Sequence, residues 1–193
     1  MRASSFAVVA NRFIETIGLV VETAARGGFR IALIGGFALS FPGVPRATGD
    51  VDFLVDATGA DTLHDALVAA GFVAKHRTEN VANYTSPSAR FAPVDFLFSR
   101  RPATLAMLGR AKAVAVPDST GLTVSSIDAE GIIGLKVQAM ANDPTRRRQD
   151  EADILSLLRV NAGKLDLELL RSYFRAFEMT ADLDRLLVEA RGI

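Results

Sequence analysis

Two carboxylates two residues apart, at the head of an otherwise apolar run, constrain this chain more than any other feature. In Asp50-Val51-Asp52-Phe53-Leu54-Val55, alternation along an extended strand sends Asp50 and Asp52 to one face and Val51, Phe53 and Val55 into a core. The chain must therefore build a sheet that covers the apolar part of this strand and leaves its acidic end open. A second run, Val94-Asp95-Phe96-Leu97-Phe98, repeats the device. An acid in its second position either breaks the core or sits at its edge, and a strand paired beside the first brings Asp95 to the other two. Carboxylates held together repel unless they are protonated, hydrogen-bonded or neutralised. An all-oxygen set of this kind suits Mg²⁺ or Mn²⁺. Three negative charges are enough for two divalent ions about 3.5–4 Å apart.

The flanking residues fit the same chemistry. Ile31 to Ile34 is a short strand that breaks at Gly35-Gly36, after which Phe37 to Phe41 forms a brief helix ended by Pro42. A turn without side chains lets backbone N–H groups approach a phosphate, helped by the start of the helix that follows. Pro42 to Gly49 is a loop. If the extended conformation begins early, Arg46 and Thr48 share parity with Asp50 and Asp52, adding a cation and a hydroxyl to a row that faces phosphate. Each piece alone has an ordinary explanation: a tight turn for Gly-Gly, solvated edge decoration for Asp-x-Asp. Their ordered combination describes a nucleoside triphosphate site. Other phosphate and metal motifs are absent. Asp50-x-Asp52-x-Leu54 lacks the third ligand and glycine of a calcium loop, the one Gly-Lys pair (Gly163-Lys164) precedes Leu165, and there is no G-x-G-x-x-G.

An amphipathic helix is expected at the start of the chain from Phe6, Val9, Ala10, Phe13, Ile14, Ile17, Val20, Val21 and Ala24, closed by Gly27-Gly28. Asp61 is placed as the cap of a helix to Ala70. Phe72 to Lys75 and the segment around Tyr84 are strands, and Val114 to Val116 and Leu122 to Val124 are weaker ones. From Ser126 the period turns helical: a helix capped by Ser126 or Asp128, another opened by Asp143-Pro144, then Leu165 to Phe177 and Asp182 to Ala190. Eleven of the 15 glycines precede Ser125. The expected fold class is α/β (α+β), a mixed β-sheet flanked by helices in a core domain over 1–124, followed by a C-terminal helical bundle over 125–193.

Composition narrows the function. The 193 residues hold 22 Lys+Arg, 22 Asp+Glu, two His and no Cys, so thiolate metal sites, disulfides and a cysteine nucleophile are excluded. The charges divide 12 basic to 10 acidic up to Val124 and 10 to 12 from Ser125, which disfavours a long nucleic-acid footprint. The one dense basic run, Arg146 to Arg148, reads as a solvated helix turn ahead of a phosphate patch. His64 and His76 have no neighbours that suggest acid–base work. Ile31 to Pro45 is too short and too interrupted to span a bilayer, and Phe6 to Ala10 is too short for a signal peptide, so a cytoplasmic protein is expected.

The ordered set Ile34-Gly35-Gly36, Asp50-Val51-Asp52-Phe53 and Val94-Asp95-Phe96 resembles the signature of the DNA polymerase β-type nucleotidyltransferase superfamily. Gly35 to Leu39 with Arg46 to Asp52 is most similar to its abortive-infection (AbiEii-type) toxin-like bacterial members. The resemblance implies a metal-dependent nucleotidyltransferase that moves a nucleoside monophosphate from an NTP to an acceptor hydroxyl with release of pyrophosphate. Asp50 and Asp52 would hold two Mg²⁺ or Mn²⁺ ions. Asp95 would ligate one of them and help deprotonate the acceptor, and Gly35 and Gly36 would receive the triphosphate. Lys136, followed by Arg148, Asp150 and Asp153, resembles the family's Lys and downstream Asp motif. Lys136 is a candidate nucleotide contact or an ion-pair partner of Asp150 or Asp153. Gly36 stands where many relatives carry Ser. Acceptors left open are a small molecule, a protein and a tRNA end, and a cognate partner protein as in toxin–antitoxin pairs is a further expectation. The alternatives are an inactive nucleotide-binding or antitoxin-like module of the same fold, or a structural α/β domain whose acids are surface decoration.

Overall fold

The computed structural model describes residues 2–192, with side chains from 11 onward, so the expected apolar contacts of Phe6, Val9 and Ala10 lie outside the described side chains. The chain forms two compact units, one running to Phe37 and resuming over Ala47–Ile127, the other made of Ala38–Arg46 with the chain from Asp128 onward.

The first unit opens with α1 (Arg2–Gly27), whose Ile17, Val20 and Ala24 recur at helical spacing and are buried. Gly28, at φ 67°, ends it in the left-handed conformation that glycine adopts without strain. Then come β1 (Ile31–Ile34), α2 (Gly35–Ala38), β2 (Val51–Asp56), α3 (Ala60–Ala69), β3 (Val73–Arg77), β4 (Val81–Thr85), β5 (Val94–Ser99), α4 (Pro102–Arg110), β6 (Lys112–Ala115) and β7 (Thr123–Ser126). The seven strands form one mixed sheet in the order β3-β4-β5-β2-β1-β7-β6. β2 is central, antiparallel to β1 and parallel to β5. Its Val51, Phe53, Leu54 and Val55 are fully buried, so both faces are covered beyond the first turn of alternation. Each such side chain contributes about 1.5–3 kcal/mol by removal from water. Tyr84 on β4 is buried as well, with its hydroxyl 2.9 Å from His64 Nδ1 on α3, and burial pushes its phenol above the ordinary value. His64 is thus a structural partner.

Two local expectations change. Asp61 does not cap α3; Asp56 caps a 3-10 turn (Ala57–Gly59) that leads into it, accepting from the Thr58 N–H, and Asp61 pairs with Arg77. The brief helix begins on the glycine pair itself and stops at Ala38, one turn long, where Phe37 to Phe41 was expected. No expectation covers α4, which starts on Pro102, a residue whose fixed φ suits a first helical position.

The second unit is helical: α5 (Ala129–Asn142), α6 (Arg147–Val160), α7 (Leu167–Arg175) and α8 (Thr180–Arg191). Its core contains Ile132, Ile133, Val137, Ile154, Leu157, Leu170, Phe174, Leu183 and Leu186. Asp128, not Ser126, caps α5 through the Gly131 N–H at 2.8 Å, since Ser126 still belongs to β7. Asp143 caps a 3-10 turn (Pro144–Arg146) before α6, and Asp166 caps α7. The segment Ala38–Arg46 joins this unit, where Asn161 Nδ2 donates to the Pro42 carbonyl at 3.3 Å. No helix among the described residues is long and apolar enough to cross a membrane.

Candidate active site

Register across three strands assembles the acids. Asp52, the second residue of β2, lies opposite Ile34 of β1 on one side and Asp95 of β5 on the other. Asp50 stands just ahead of β2, in a bend. Each of the three half-buried aspartates offers a carboxylate oxygen, and these oxygens all lie within 4.8 Å of one another. Two unit charges at that separation repel by about 1 kcal/mol under full water screening and by about 3 kcal/mol near a protein surface. The strain is visible at Asp95. Burial pushes its carboxyl above the ordinary value, the Asn83 side chain opposes this by hydrogen bonding, and the neighbouring Asp50 charge pushes it further up. Asn83 sits directly opposite Asp95 in the β4–β5 pairing.

The glycine turn is built against these acids. Gly35 follows β1 at φ 65°, and a Cβ there would come 2.0 Å from Asp52 Oδ2. Only glycine fits on both counts, so Asp52 leans directly on the turn. A Cβ at Gly36 would meet Thr48 Cβ at 3.0 Å and its Oγ1 at 3.1 Å. Thr48 in turn donates through Oγ1 to Asp50 Oδ1 at 2.8 Å, fixing that carboxylate.

The expected row of Arg46, Thr48, Asp50 and Asp52 is not one extended strand, because β2 begins only at Val51. Thr48 joins Asp50. Arg46 belongs to the helical unit and donates through NH1 to Asp153 Oδ2 at 2.7 Å. The same carboxylate oxygen accepts from Lys136 Nζ at 2.6 Å, and Lys136 also donates to Asp150 Oδ1 at 2.9 Å. Arg146 Nε reaches Asp150 Oδ2 at 3.2 Å, and Gln149 Nε2 reaches Asp153 Oδ1 at 3.2 Å. The side chains of Lys136, Asp150 and Asp153 are 9%, 1% and 8% exposed, so this is a buried, internally neutralised network. Gly35, Gly36, Thr48, Asp50, Asp52 and Asp95 are thus brought together in the sheet unit, and Arg46 with Lys136 in the helical one.

An all-oxygen donor set that is half open fits a hard divalent cation. Among solved structures, the chain is similar to the antibiotic-resistance factor ANT(2'')-Ia in solution, at 14% identity over 94% of this chain and 96% of that one, with a TM-score of 0.60. The same factor in complex with adenylyl-2''-tobramycin gives 15% identity, 84% and 94% coverage and a TM-score of 0.58. An antigenic nucleotidyltransferase-like protein from Paracoccidioides brasiliensis gives 18% identity, 89% coverage of both chains and a TM-score of 0.55. The mixed sheet and its flanking helices are accordingly the nucleotidyltransferase fold. No protein-family model matches the sequence, and no curated protein matches it.

Proposed function

We propose that this protein is a metal-dependent nucleotidyltransferase, moving a nucleoside monophosphate from an NTP to an acceptor hydroxyl. The observation that carries the reading is the convergence of Asp50, Asp52 and Asp95, from two separate strands and a bend, within 4.8 Å of one another and against a glycine turn that a single Cβ would block. A fold shared with ANT(2'')-Ia, whose complex contains an adenylylated antibiotic, supports it. Within the superfamily, the Gly35-to-Leu39 and Arg46-to-Asp52 segments favour the abortive-infection type as nearest kin.

In this reading Asp50, Asp52 and Asp95 hold two Mg²⁺ or Mn²⁺ ions, which when bound supply neutralisation of the triphosphate and of the developing charge on the attacking oxygen. Thr48 keeps Asp50 oriented. Gly35 and Gly36 let the backbone approach the triphosphate. The acceptor oxygen forms a bond to the α-phosphorus as the bond to the pyrophosphate oxygen breaks. The acceptor's proton passes to Asp95, the role that the superfamily resemblance implies for it. The proposal assigns no nucleotide contact to Arg46 or Lys136, whose cations meet Asp153 and Asp150. A small hydroxyl compound or a protein hydroxyl is favoured as acceptor, because zero net charge gives no global field to draw in a polynucleotide.

The test is pyrophosphate release from each NTP with Mg²⁺ or Mn²⁺ and panels of hydroxyl acceptors. Release that Asp50→Asn and Asp52→Asn each reduce by about a thousandfold supports the assignment. Release that survives both substitutions refutes it. Nucleotide binding without turnover would point instead to an inactive module of the same fold.

A further inference from the structure

Parallel strands β2 and β5 are joined through α3, β3 and β4, so no short turn sets their register. A slip of one residue would turn Asp95 to the opposite face of the sheet. The residues leading into β5 are instead gripped by one stretch of α1. Thr16, fully buried, accepts the Ala92 N–H at 3.0 Å and donates to the Ala92 carbonyl at 3.2 Å. Arg12, one turn earlier on the same helix face, donates to the Phe91 carbonyl through Nε at 3.0 Å and NH2 at 2.7 Å. Glu15, between them in sequence, pairs with Arg90 at 2.7 Å. Three successive residues, Arg90, Phe91 and Ala92, are thereby fixed to α1. Pro93 then accepts the Val51 N–H at 3.0 Å, and two residues later the chain reaches Asp95 opposite Asp52. The same turn of α1 reaches the glycine turn, because Phe13 stacks on Phe37, the residue after Gly36, with ring centroids 6.0 Å apart.

We propose that Arg12 and Thr16 are positioning residues that set Asp95 in register with Asp52 and at a fixed distance from the Gly35-Gly36 turn. The inference rests on the reading of the three aspartates as a metal site. Arg12 and Thr16 touch neither metal nor substrate; they act through the backbone of Phe91 and Ala92. A purely stabilising role would lower the melting temperature and leave metal affinity alone, whereas a positioning role changes affinity in a chain that remains folded.

The experiment titrates Mn²⁺ alone into the full chain by electron paramagnetic resonance, with folding followed by circular dichroism. Thr16→Val removes the hydroxyl at nearly constant volume and leaves the Ala92 N–H its second acceptor, the Arg12 carbonyl at 3.3 Å. It is expected to weaken Mn²⁺ binding by about tenfold, with Thr16→Ser restoring affinity, as for supports behind metal ligands generally. Arg12→Gln, at a half-buried position, carries the same expectation and serves if Thr16→Val does not fold. Thr23→Val is the control: Thr23 is a buried threonine of the same helix whose hydroxyl, among the described residues, bonds the Leu19 carbonyl alone at 2.7 Å, and it should leave affinity unchanged. A folded Thr16→Val or Arg12→Gln chain that binds Mn²⁺ like wild type overturns the inference, as does an equal loss in Thr23→Val. A wild-type chain that takes up no Mn²⁺ overturns the reading of the site, and the inference with it.

Discussion

Asp150 and Asp153 carry two negative charges into the interior of the helical unit, where Lys136, Arg46 and Arg146 meet them at hydrogen-bonding distance. Asp50, Asp52 and Asp95 bring three negative charges together in the sheet unit. There the groups that reach Asp50 and Asp95 are a neutral hydroxyl and a neutral amide. In the first cluster each buried carboxylate meets two cations. The second is crowded, half open, and raises the proton affinity of one of its own members. Buried charge that the chain neutralises itself is structural, whereas three half-open carboxylates gathered at one place fit a divalent cation from solution.

The contrast breaks most sharply at Lys136. Lys136→Met should destabilise the protein by about 3–5 kcal/mol in chemical denaturation, because it leaves two buried carboxylates short of their central cation. A change below about 1 kcal/mol would mean that Arg46 and Arg146 suffice without it. At the open cluster the proposed reading reverses the sign, since its cation would come from outside. Mg²⁺ at a hundred times its dissociation constant should stabilise the wild type by about 2.7 kcal/mol. Asp52→Asn should lose most of that gain, and Lys136→Gln should keep it wherever it folds.

Gly35 and Gly28 sharpen the comparison within the sheet unit, because both have a left-handed backbone, at φ 65° and 67°. A Cβ at Gly28 meets nothing within 4 Å, whereas one at Gly35 strikes the Asp52 carboxylate. Gly28→Ala should cost only the backbone strain, about 1 kcal/mol. Gly35→Ala should cost about 1 kcal/mol more than that and weaken Mn²⁺ binding as well. Equal melting temperatures and equal Mn²⁺ affinities for the two variants would contradict the close approach of turn and acid.

The smallest effect concerns Asp95. Its folded-state proton affinity is raised, by burial first and by Asp50 next, so the stability associated with its protonated form is present below the ordinary carboxylate range and is lost as pH rises through the raised value. In chelator at neutral pH, Asp95→Asn should therefore be more stable than wild type, by about 0.5–1 kcal/mol after allowance for solvent screening. That advantage should disappear as pH is lowered through the raised value, and saturating Mg²⁺ should reverse it. A variant less stable than wild type in chelator at neutral pH would show that the carboxylates are not in conflict.

Much of this site was legible in the sequence, because strand alternation is a rigid rule. Acids set into apolar runs at Asp52 and Asp95 emerge together near the starts of β2 and β5, while Asp50 joins them from a bend that alternation does not describe, and the glycine pair opens α2. What lay beyond reach were contacts that local pattern does not encode. Arg46 turns to Asp153, 107 residues away, because the loop that carries it packs with the helical unit. Lys136 had two readings in sequence, and the structure has it held by both of its candidate partners. Thr16 interrupts an apolar helix face without any signal that its hydroxyl clasps Ala92. Polar residues on the buried face of α1, Thr16 and Thr23, were the available hint, since a buried hydroxyl needs a partner.

Anomalous diffraction from crystals soaked with Mn²⁺ and a non-hydrolysable NTP tests the distinction between the two clusters most directly. The account predicts manganese bridging Asp50, Asp52 and Asp95, with the triphosphate beside Gly35 and Gly36, and no manganese at Asp150 and Asp153. Bound nucleotide without metal at the three aspartates, or metal at the Lys136 network instead, would contradict it.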